Sequence, residues 1–377
     1  MAHRVLYVVD SLGMGGAERG LSLTLRHLDR TRFEPEVAML WEPDTLARDL
    51  DELGVRVHKL GARRGPAALL VVPRLRRLLR RRRFDAAHTQ VLWASITGRI
   101  AGRLAGVKVI SHVLNVDPGR SRNADLPSSV ALKVRIVGAL DEWTGRLLVD
   151  RFIAISEAVR AHPIRGRSWD RSKISVVDRG QDVEALTADA ERQPSPPLGE
   201  TGQPVILSVG RLAPQKGHRY LIRAMADVVH EYPSAQLLVA GEGHLADELK
   251  AIADPLGDHV HFLGVRRDVP ALLVRADVFV FPSLWEGVGN ALREAMLLGK
   301  PVVATDIPAH RGYVTDGIDG LLVPPADAEA LASAVLRLLR EPEEAAGIGK
   351  RAAETAARFD IRRTTRELES VYDEVLR

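Results

Sequence analysis

Short runs rich in β-branched residues alternate with helix-patterned segments along most of the chain, and this alternation limits its possible folds more than any other feature. A first run at residues 5–9 is followed by residues 15–28, in which apolar side chains recur every three or four positions. The pattern restarts with a second run at Val205–Val209. Because strand, helix and strand form the repeating unit of a doubly wound parallel sheet, the sequence predicts an α/β fold.

The length of 377 residues favours two such domains, since one α/β core usually takes about 100–200 residues. The periodicity breaks at residues 187–203, which are rich in proline, glycine and polar residues, and this predicts a linker. We therefore predict domains at residues 1–186 and 204–358, with a last helix in residues 359–377 that crosses back to the first domain. Ligand loops are expected at the carboxyl ends of the strands, facing a cleft between the domains.

Cysteine is absent, which excludes structural disulfides, a thiol nucleophile and thiolate metal sites. No apolar run approaches the roughly 20 residues that a membrane helix needs. The first residues also lack the cleavage site of a signal peptide. These features predict a soluble cytoplasmic protein, attached at most to the inner face of the membrane.

Charge is distributed unevenly along the chain. Residues 1–200 carry a net charge of +9 and the remainder −5, which together give the net +4 of the whole chain. The basic charge is densest at residues 73–83, where seven of eleven residues are arginine around three leucines. This segment predicts either contact with an anionic membrane surface or a solvated surface helix. No aromatic residues stand between the arginines, so nucleic acid is disfavoured as a partner.

The loop after the first strand, residues 10–19, contains three glycines. They let the backbone approach a phosphate at the start of the following helix, or they form a tight turn without a ligand. Gly13, Gly15 and Gly16 do not have the spacing of a dinucleotide-binding fingerprint, and the chain has no P-loop motif.

Two later loops carry groups suited to a nucleotide. Arg211 and Lys216 lie five residues apart in a glycine-flanked turn after Val205–Val209, where they can reach one diphosphate or remain solvated surface charges. The loop after a strand at residues 277–281 carries Glu286, and Asn290 is predicted to cap a helix over residues 291–298 that includes Glu294. The two glutamates can hold sugar and ribose hydroxyls, or one is a solvated acid and the other offsets the helix dipole.

Together these residues resemble the retaining glycosyltransferases of family 4, which have the GT-B fold of two facing Rossmann-like domains. The resemblance extends along nearly the whole chain and is carried by eight segments, with the Glu-x7-Glu pattern of Glu286 and Glu294 as its hallmark: GGAER at 15–19, ISEAVR at 155–160, GRLAPQKG at 210–217, VAGEG at 239–243, FLG at 262–264, FPSLWEGVGNALREAM at 281–296, GKPVVATD at 299–306 and DGIDGLLVPP at 316–325.

The resemblance implies roles for the residues of the second domain. Arg211 and Lys216 would hold the diphosphate of a nucleotide sugar and stabilise it as it leaves. Glu286 would face the donor sugar near the reacting carbon, and Glu294 would bind the ribose diol. Further donor contacts would come from the backbone of the helix-start loop and of one residue beyond the FLG segment: Gly287, Val288, Gly289, Asn290 and Val265.

In the first domain the resemblance implies that Gly15 and Gly16 approach the donor phosphate and that His112 touches the donor sugar, with His88 a possible residue on the acceptor side. Acceptor specificity is expected in the loops of this domain, including residues 115–128. The sequence departs from the family in two places: Arg179 and Gly180 stand where Asn-Gly is common, and no familiar His-Gly or His-Asp pair is found at His112.

The expected reaction is transfer of a hexosyl unit with retention, from a UDP-sugar or, next, a GDP-sugar, to a glycan, lipid-linked or small-molecule acceptor. No cofactor is expected, and no divalent metal either, since no Asp-x-Asp motif occurs in a predicted ligand loop. Other GT-B enzymes, such as an epimerase or a phosphorylase, are nearby alternatives. A non-catalytic, membrane-associated GT-B scaffold is the alternative from another class, and the intact Arg211, Lys216, Glu286 and Glu294 argue against it.

Overall fold

The computed structural model describes residues 2–13, 15–113, 128–161, 169–192 and 202–377. The chain forms two compact units, one of Met1–Gly180 with Ile361–Arg377 and one of Gln181–Asp360. Within the described residues, none of the helices combines the length and the apolar character needed to cross a bilayer.

Thirteen strands are formed within the described residues, and all of them belong to two parallel sheets. Their bounds are β1 His3–Val9, β2 Phe33–Met39, β3 Val57–Lys59, β4 Ala86–Thr89, β5 Lys108–Val113, β6 Arg151–Ala154, β7 Ile174–Val176, β8 Val205–Val209, β9 Gln236–Ala240, β10 Val260–Gly264, β11 Val278–Phe281, β12 Val302–Thr305 and β13 Leu321–Val323.

The helices of the described residues connect these strands and follow the last one. Their bounds are α1 Gly16–His27, α2 Ala47–Glu52, α3 Val72–Arg81, α4 Leu92–Ala105, α5 Ser128–Leu148, α6 Glu157–Ala161, α7 Val183–Arg192, α8 His218–Glu231, α9 Ala246–Ala253, α10 Val269–Arg275, α11 Asn290–Leu297, α12 Pro308–Arg311, α13 Ala328–Arg340, α14 Pro342–Ala356 and α15 Ile361–Leu376.

The strand order explains where each unit offers a binding site. The first sheet has the order β3-β2-β1-β4-β5-β6-β7 and the second β10-β9-β8-β11-β12-β13, with every neighbouring pair parallel. In each sheet the order of the strands reverses beside the first strand, between β1 and β4 and between β8 and β11. Loops at such a switch point diverge and leave a crevice at the carboxyl ends of the strands. The predicted two-domain α/β architecture is confirmed.

Alternate residues of β1 feed two separate cores, one on each face of the first sheet. Tyr7 belongs to a core that includes residues of α1 and α15, whereas Leu6 belongs to a core that includes α3 and α4. Since successive side chains of a strand point to opposite faces, this unit is buried on both sides of its sheet, as expected for parallel strands.

The division of the chain differs from the predicted boundaries. The structure divides at Gly180, because α7 belongs to the second unit and begins where the Asp182 carboxylate accepts a hydrogen bond from the amide of Ala185 (3.0 Å). Residues 187–192 of the predicted linker are therefore helical, and residues 193–201 lie outside the described part. The segment that contains the arginine-rich residues 73–83 begins with a 3₁₀ segment, Gly65–Val71, and continues as α3, in which Pro73 occupies the first turn.

The C-terminal helix α15 belongs to the first unit, where it packs against α1. Leu368, Val371, Tyr372 and Val375 lie in the same core as Leu21 and Leu25 of α1. This helix therefore completes a hydrophobic core that the preceding part of the unit leaves open.

We expect Leu368→Ala to lower the free energy of unfolding by about 2–5 kcal/mol, because it removes a side chain that is only 3% exposed and leaves a cavity. Arg366→Ala, on the exposed side of the same helix, should change it by no more than about 0.5 kcal/mol. Urea unfolding followed by circular dichroism measures both changes. Equal effects of the two substitutions would contradict the packing of α15 described above.

Candidate active site

The loops after β8 and β11 are held side by side in the second unit, because these strands are direct neighbours. The amide of Leu284 donates to the carbonyl of Gln215 (2.7 Å), and the side-chain amide of Gln215 donates to the carbonyl of Trp285 (2.9 Å). Gly217 is required at this contact: its φ is 64°, and a Cβ atom there would lie 2.0 Å from the carbonyl oxygen of Pro282. The two predicted ligand loops are thus held together by direct contacts.

Lys216 and Glu286 form an ion pair between these loops. The Lys216 ammonium lies 2.5 Å from Oε1 of Glu286, and the two side chains are only 15% and 8% exposed. The hydroxyl of Ser283 donates to the same oxygen (2.9 Å), and the ammonium lies 4.9 Å from the centre of the Phe281 ring. An ion pair with so little exposure is costly to desolvate, and its positioning beside a switch point is typical of a functional site.

Arg211 does not join this ion pair. Its side chain is exposed and donates to Oε1 of Gln215 over 3.3 Å. The structure therefore separates the two cations that sequence spacing had made equivalent. Lys216 is fixed in the loop contact, whereas Arg211 lies at the solvent-facing side of the turn.

The start of α11 differs from the prediction in one residue. Asn290 is the first residue of the helix and not its cap, because Gly289, with a φ of 85°, makes the turn into the helix. The Asn290 Oδ1 atom is consequently buried without a hydrogen-bond partner among the described residues. Gly287, Val288 and Gly289 are buried at this helix start, and Glu294 lies one turn further on and is partly buried. The free amides of a helix start and an unsatisfied side-chain oxygen suit a polar ligand.

Two buried histidines near these loops had not been identified from the sequence. His310 donates from Nδ1 to the carbonyl of Thr305 (2.7 Å), so its Nε2 is the unprotonated nitrogen, and burial lowers the pKa of His310 to about 4. His218 is the first residue of α8, and burial followed by the nearby Lys216 charge lowers its pKa to about 4. Gly217 directly precedes His218 and was the signal available for that residue, whereas His310 meets Gly289 only in the folded structure.

Val265 follows Gly264 at the end of β10 and is 68% exposed. The carbonyl of Gly264 accepts a hydrogen bond from the amide of Gly241 (2.7 Å), so this corner is tied to the end of β9. Val265 therefore lies at the same edge of the second sheet as the loops after β8 and β11, but it follows β10 and is not part of either loop.

A pocket of about 40 Å³ opens at the switch point of the first sheet. His112, Gln90 and Arg179 line it together with residues of β1, α1, α15 and the segments that follow β6 and β7: Tyr7, Ala17, Gly20, Leu21, Thr24, Ile155, Val177, Asp178, Gly180, Thr364 and Leu368. Burial lowers the pKa of His112 well below its usual value, and the neighbouring His88 and the Arg179 charge act in the same direction. The pocket therefore presents a neutral imidazole beside a guanidinium.

The glycines of the first loop do not line this pocket, although Ala17, which directly follows Gly16, does. Gly15 precedes α1, and Gly16 is its first residue. Residues 115–127, in which acceptor specificity was expected, lie outside the described part of the chain. Among the described residues, no group of three or more acidic or histidine side chains is arranged to hold a metal ion.

Asp10, which directly follows β1, has a role that was not predicted from the sequence. Its carboxylate accepts a hydrogen bond from the amide of Ala94 (2.6 Å) and so caps α4 from a different loop. The residue before that helix, Val91, has a φ of 69°, which is unusual for a β-branched residue and shows that the turn from β4 into α4 is strained.

Comparison with known proteins gives matches to both halves of the chain. Residues 15–180 match the family model "Glycosyl transferase 4-like domain", and residues 203–341 match "Glycosyl transferases group 1". The 2-deoxystreptamine glucosyltransferase of Streptomyces kanamyceticus is 31% identical over 276 residues, 70% of each chain. The UDP-Gal:α-D-GlcNAc-diphosphoundecaprenol α-1,3-galactosyltransferase of Escherichia coli is 29% identical over 272 residues, which cover 70% of this chain and 68% of the relative.

Among solved structures, that of Anabaena HepE in complex with UDP superposes with a TM-score of 0.83 at 22% identity. The match covers 98% of this chain and all of HepE. At this level of identity the likeness is one of fold.

The pKa of Asp10 generates a prediction about stability. Burial raises this pKa from 3.8 to about 6, against the effect of the Ala94 and Trp93 amides. The folded state thus binds the proton more tightly than the unfolded state, so the contribution of Asp10 is fully present below about pH 4 and is lost as the pH rises to about 6. The free energy of unfolding of the parent protein should therefore fall by up to about 3 kcal/mol as the pH rises through this window, and Asp10→Asn should abolish this fall.

Urea unfolding at a series of pH values between about 4 and 7 measures this contribution. Asp227→Asn, at an exposed aspartate of α8, is the matched control and should keep the pH profile of the parent protein. Parallel profiles for both variants would show that Asp10 does not bind its proton as described.

Proposed function

The chain belongs to the group 1 and 4-like glycosyltransferases and has their GT-B fold, and on this basis we propose that it transfers a hexosyl unit from a nucleotide sugar with retention of configuration. The observation that carries the proposal is the Lys216–Glu286 ion pair next to the start of α11. It combines a cation for a diphosphate, a carboxylate for sugar hydroxyls and a helix start in one place.

The donor diphosphate would lie against Lys216, Arg211 and the amides from Gly287 to Asn290. Arg211 is exposed and can turn toward an arriving phosphate, since its bond to Gln215 is long at 3.3 Å. The unpartnered Oδ1 of Asn290 can accept a bond from a hydroxyl of the donor. Glu294, one turn into α11, would hold the ribose diol, and Val265 would offer its backbone to the base.

In the proposed reaction the bond between the anomeric carbon and the diphosphate oxygen breaks, and the acceptor oxygen forms its bond on the same face. The proton of the acceptor hydroxyl passes to a diphosphate oxygen. The Glu286 carboxylate is already engaged by Lys216 and Ser283 at one oxygen, which supports a binding role for it and not attack on the sugar. Catalysis would then rest on charge stabilisation of the leaving diphosphate.

We favour a UDP-sugar as donor and a GDP-sugar next. The support comes from the UDP-galactose in the name of the E. coli relative and from UDP in the HepE structure. We also propose that no divalent metal or other cofactor is needed, because two cations and a helix start are available for the charge that develops on the leaving group.

For the acceptor we favour a lipid-linked or other phosphate-bearing molecule over a neutral glycan or a cationic small molecule. The two relatives differ in this respect, since one is named for a diphosphoundecaprenol acceptor and the other for the aminocyclitol 2-deoxystreptamine. The pocket of the first unit contains the Arg179 guanidinium beside a neutral His112, a pair that favours an anion, and the Asp178 carboxylate lines the same pocket.

An anionic membrane surface is the partner that we propose for α3. Its leucines 75 and 79 are fully buried, so the apolar face expected to meet lipid faces the core instead. Arg82 is also engaged, in an ion pair with Glu36. The exposed arginines remain available for lipid headgroups, and they are Arg74, Arg76, Arg77, Arg80, Arg81 and Arg83.

Apolar contact with the membrane would come from α5. Its exposed side chains Leu132, Ile136, Trp143 and Leu147 recur at helical spacing and are each more than half exposed. Helix α4 packs against both α3 and α5, so the arginines and this apolar row belong to one layer of helices. Basic and apolar surfaces in one layer suit the interface of an anionic bilayer, and peripheral attachment to the inner face of the membrane follows from the proposal.

The alternative function is that of a non-catalytic GT-B scaffold attached to a membrane. It shares the surface of α3 and α5 but requires no donor site. The contact of Lys216 with Glu286 and the ordered start of α11 favour the enzyme.

The donor site is tested by assaying hydrolysis and transfer with UDP-, GDP- and ADP-sugars in EDTA. We expect turnover of one donor class, and a fall of about 10²- to 10³-fold in kcat for Lys216→Ala, because it removes a charge that stabilises the leaving group. Glu294→Ala should mainly raise KM, since the ribose contact is the same in the ground state and the transition state.

Glu329→Ala, at an exposed glutamate in the first turn of α13, is the control and should retain full activity. Binding and turnover of none of the nucleotide sugars would favour the scaffold, and activity that returns only with a divalent cation would refute metal independence.

The membrane surface is tested by sedimentation with vesicles of phosphatidylglycerol or phosphatidylcholine. We expect binding to the anionic vesicles only, and its loss in Arg77→Glu/Arg81→Glu at low salt, because like charges then repel. Trp143→Ser should reduce the part of the binding that survives high salt, since that part is apolar.

Arg223→Glu/Lys350→Glu makes the same charge change at exposed positions of the second unit and should leave binding intact. Equal losses in the two charge-reversal variants would mean that net charge, and not the α3 surface, attracts the vesicles.

A further inference from the structure

Four aromatic side chains form a continuous hydrogen-bonded row beneath the pocket of the first unit. The Tyr7 and Tyr372 hydroxyls are 2.6 Å apart, the Tyr372 hydroxyl lies 2.5 Å from Nδ1 of His88, and Nε2 of His88 lies 2.9 Å from Nδ1 of His112. Tyr7, His88 and Tyr372 are almost completely buried, and two members of the row line the pocket, His112 and, with 1% of its surface exposed, Tyr7.

The row is built by strand register and by the C-terminal helix. Tyr7 of β1 is directly opposite His88 of β4, so their rings stack with centroids 4.9 Å apart. His112 is two residues beyond the β5 partner of His88 and stacks on it at 4.7 Å. Tyr372 enters from α15, and its ring meets His88 edge-on.

Counting protons leaves two continuous arrangements of the row, because each hydroxyl and each neutral imidazole carries one proton, and a Tyr372 oxygen that accepted both of its bonds would leave its own proton without an acceptor among the described residues. In the first, Tyr7 donates to Tyr372, Tyr372 donates to Nδ1 of His88, and Nε2–H of His88 donates to Nδ1 of His112. In the second, every bond is reversed, and His112 donates from Nδ1. The arrangement chosen decides which nitrogen of His112 carries its proton.

The end of the row at Tyr7 distinguishes the two arrangements. Among the described residues, the Tyr7 hydroxyl has no hydrogen-bond partner other than Tyr372, and Tyr7 is 1% exposed. In the second arrangement Tyr7 would have to donate its proton elsewhere, which leaves a nearly buried donor without an acceptor in the protein. An unsatisfied buried donor is costly, so the first arrangement is favoured.

We propose that Tyr372 and His88 are positioning residues that hold His112 in its Nε2–H tautomer, so that His112 donates a hydrogen bond from the pocket wall to an oxygen of a bound substrate. The role toward substrate rests on the proposed transferase function. His112 is then a donor and not a general base, because Nδ1 is occupied by His88 and Nε2 carries the proton.

This assignment agrees with the rest of the pocket wall. Nε2 of His112 has no partner among the described residues, and the Arg179 guanidinium beside it also offers only donors. His112 therefore presents an N–H group to the pocket, which suits a phosphate, hydroxyl or ring oxygen, and the Arg179 guanidinium and the Asp178 carboxylate line the same pocket. A histidine that merely filled the core would not require a fixed tautomer.

The tautomer can be observed directly by long-range ¹H–¹⁵N correlation spectra of the full chain labelled at histidine, with His112→Gln used to assign the signals of His112. We expect the Nε2–H pattern for the parent protein. Tyr372→Phe removes the donor to Nδ1 of His88 and should convert His112 to a mixture of tautomers or to Nδ1–H. Tyr7→Phe leaves that donor in place and should preserve the pattern.

An Nδ1–H pattern for His112 in the parent protein would overturn the proposal, and so would an unchanged pattern in Tyr372→Phe. Because the spectra report on folded protein without substrate, they decide the question even if no donor is ever turned over. An inactive parent protein with the expected spectra would refute the transferase function and leave the positioning intact.

The activity measurement adds the link to substrate. We expect Tyr372→Phe to lower kcat about tenfold while the donor KM changes less than about twofold, because His112 loses its orientation and donor affinity comes from the second unit. Tyr313→Phe removes a buried hydroxyl in the second unit and is the control for a general loss of packing. A loss of activity equal in both variants would contradict the proposed role of Tyr372.

Discussion

Parallel pairing of strands that are distant in sequence is the constraint on which both sites depend. In each sheet the first strand pairs with one that follows two further strands, β1 with β4 and β8 with β11. This pairing brings Lys216 within 2.5 Å of Glu286, which is 70 positions away in sequence, and it places Tyr7 opposite His88. If the hydrophobic runs that fix this register slipped by one residue, the side chains of the slipped strand would point to the opposite face.

The parts of the fold that depend on local pattern could be predicted from sequence. Strand β8 has the predicted bounds and β11 begins one residue later than predicted, because each is a short apolar run bounded by turn residues. Lys216 and Glu286 were also identified as candidate ligand residues from their loops, and the family resemblance gave them roles, but their contact was not foreseen. Spacing alone made Arg211 equivalent to Lys216, whereas the structure separates them, since only Lys216 lies where the loops of β8 and β11 meet.

Features that depend on long-range packing could not be predicted. Asn290 has the composition of a cap, yet Gly289 takes that place because its backbone must turn with a φ of 85° against Phe281. The buried leucines of α3 had suggested a lipid-facing stripe, and nothing in a run of arginines reveals which side faces a core. Tyr372 lies 284 positions from His88, a separation at which sequence pattern carries no information on contact.

The C-terminal helix belongs to the first unit because the chain leaves that unit and returns to it at one place. A Cβ atom on Gly180 would lie 2.6 Å from Cα of Ile361, so the outgoing and returning segments touch where only glycine fits. The next residue, Gln181, donates its amide to the carbonyl of Phe359 (2.8 Å). From this point α15 supplies Leu368 to a hydrophobic core and Tyr372 to the row that ends at His112. A single helix thus contributes to both the hydrophobic core and the hydrogen-bonded row of the first unit, which explains why the unit is built from two separate stretches of sequence.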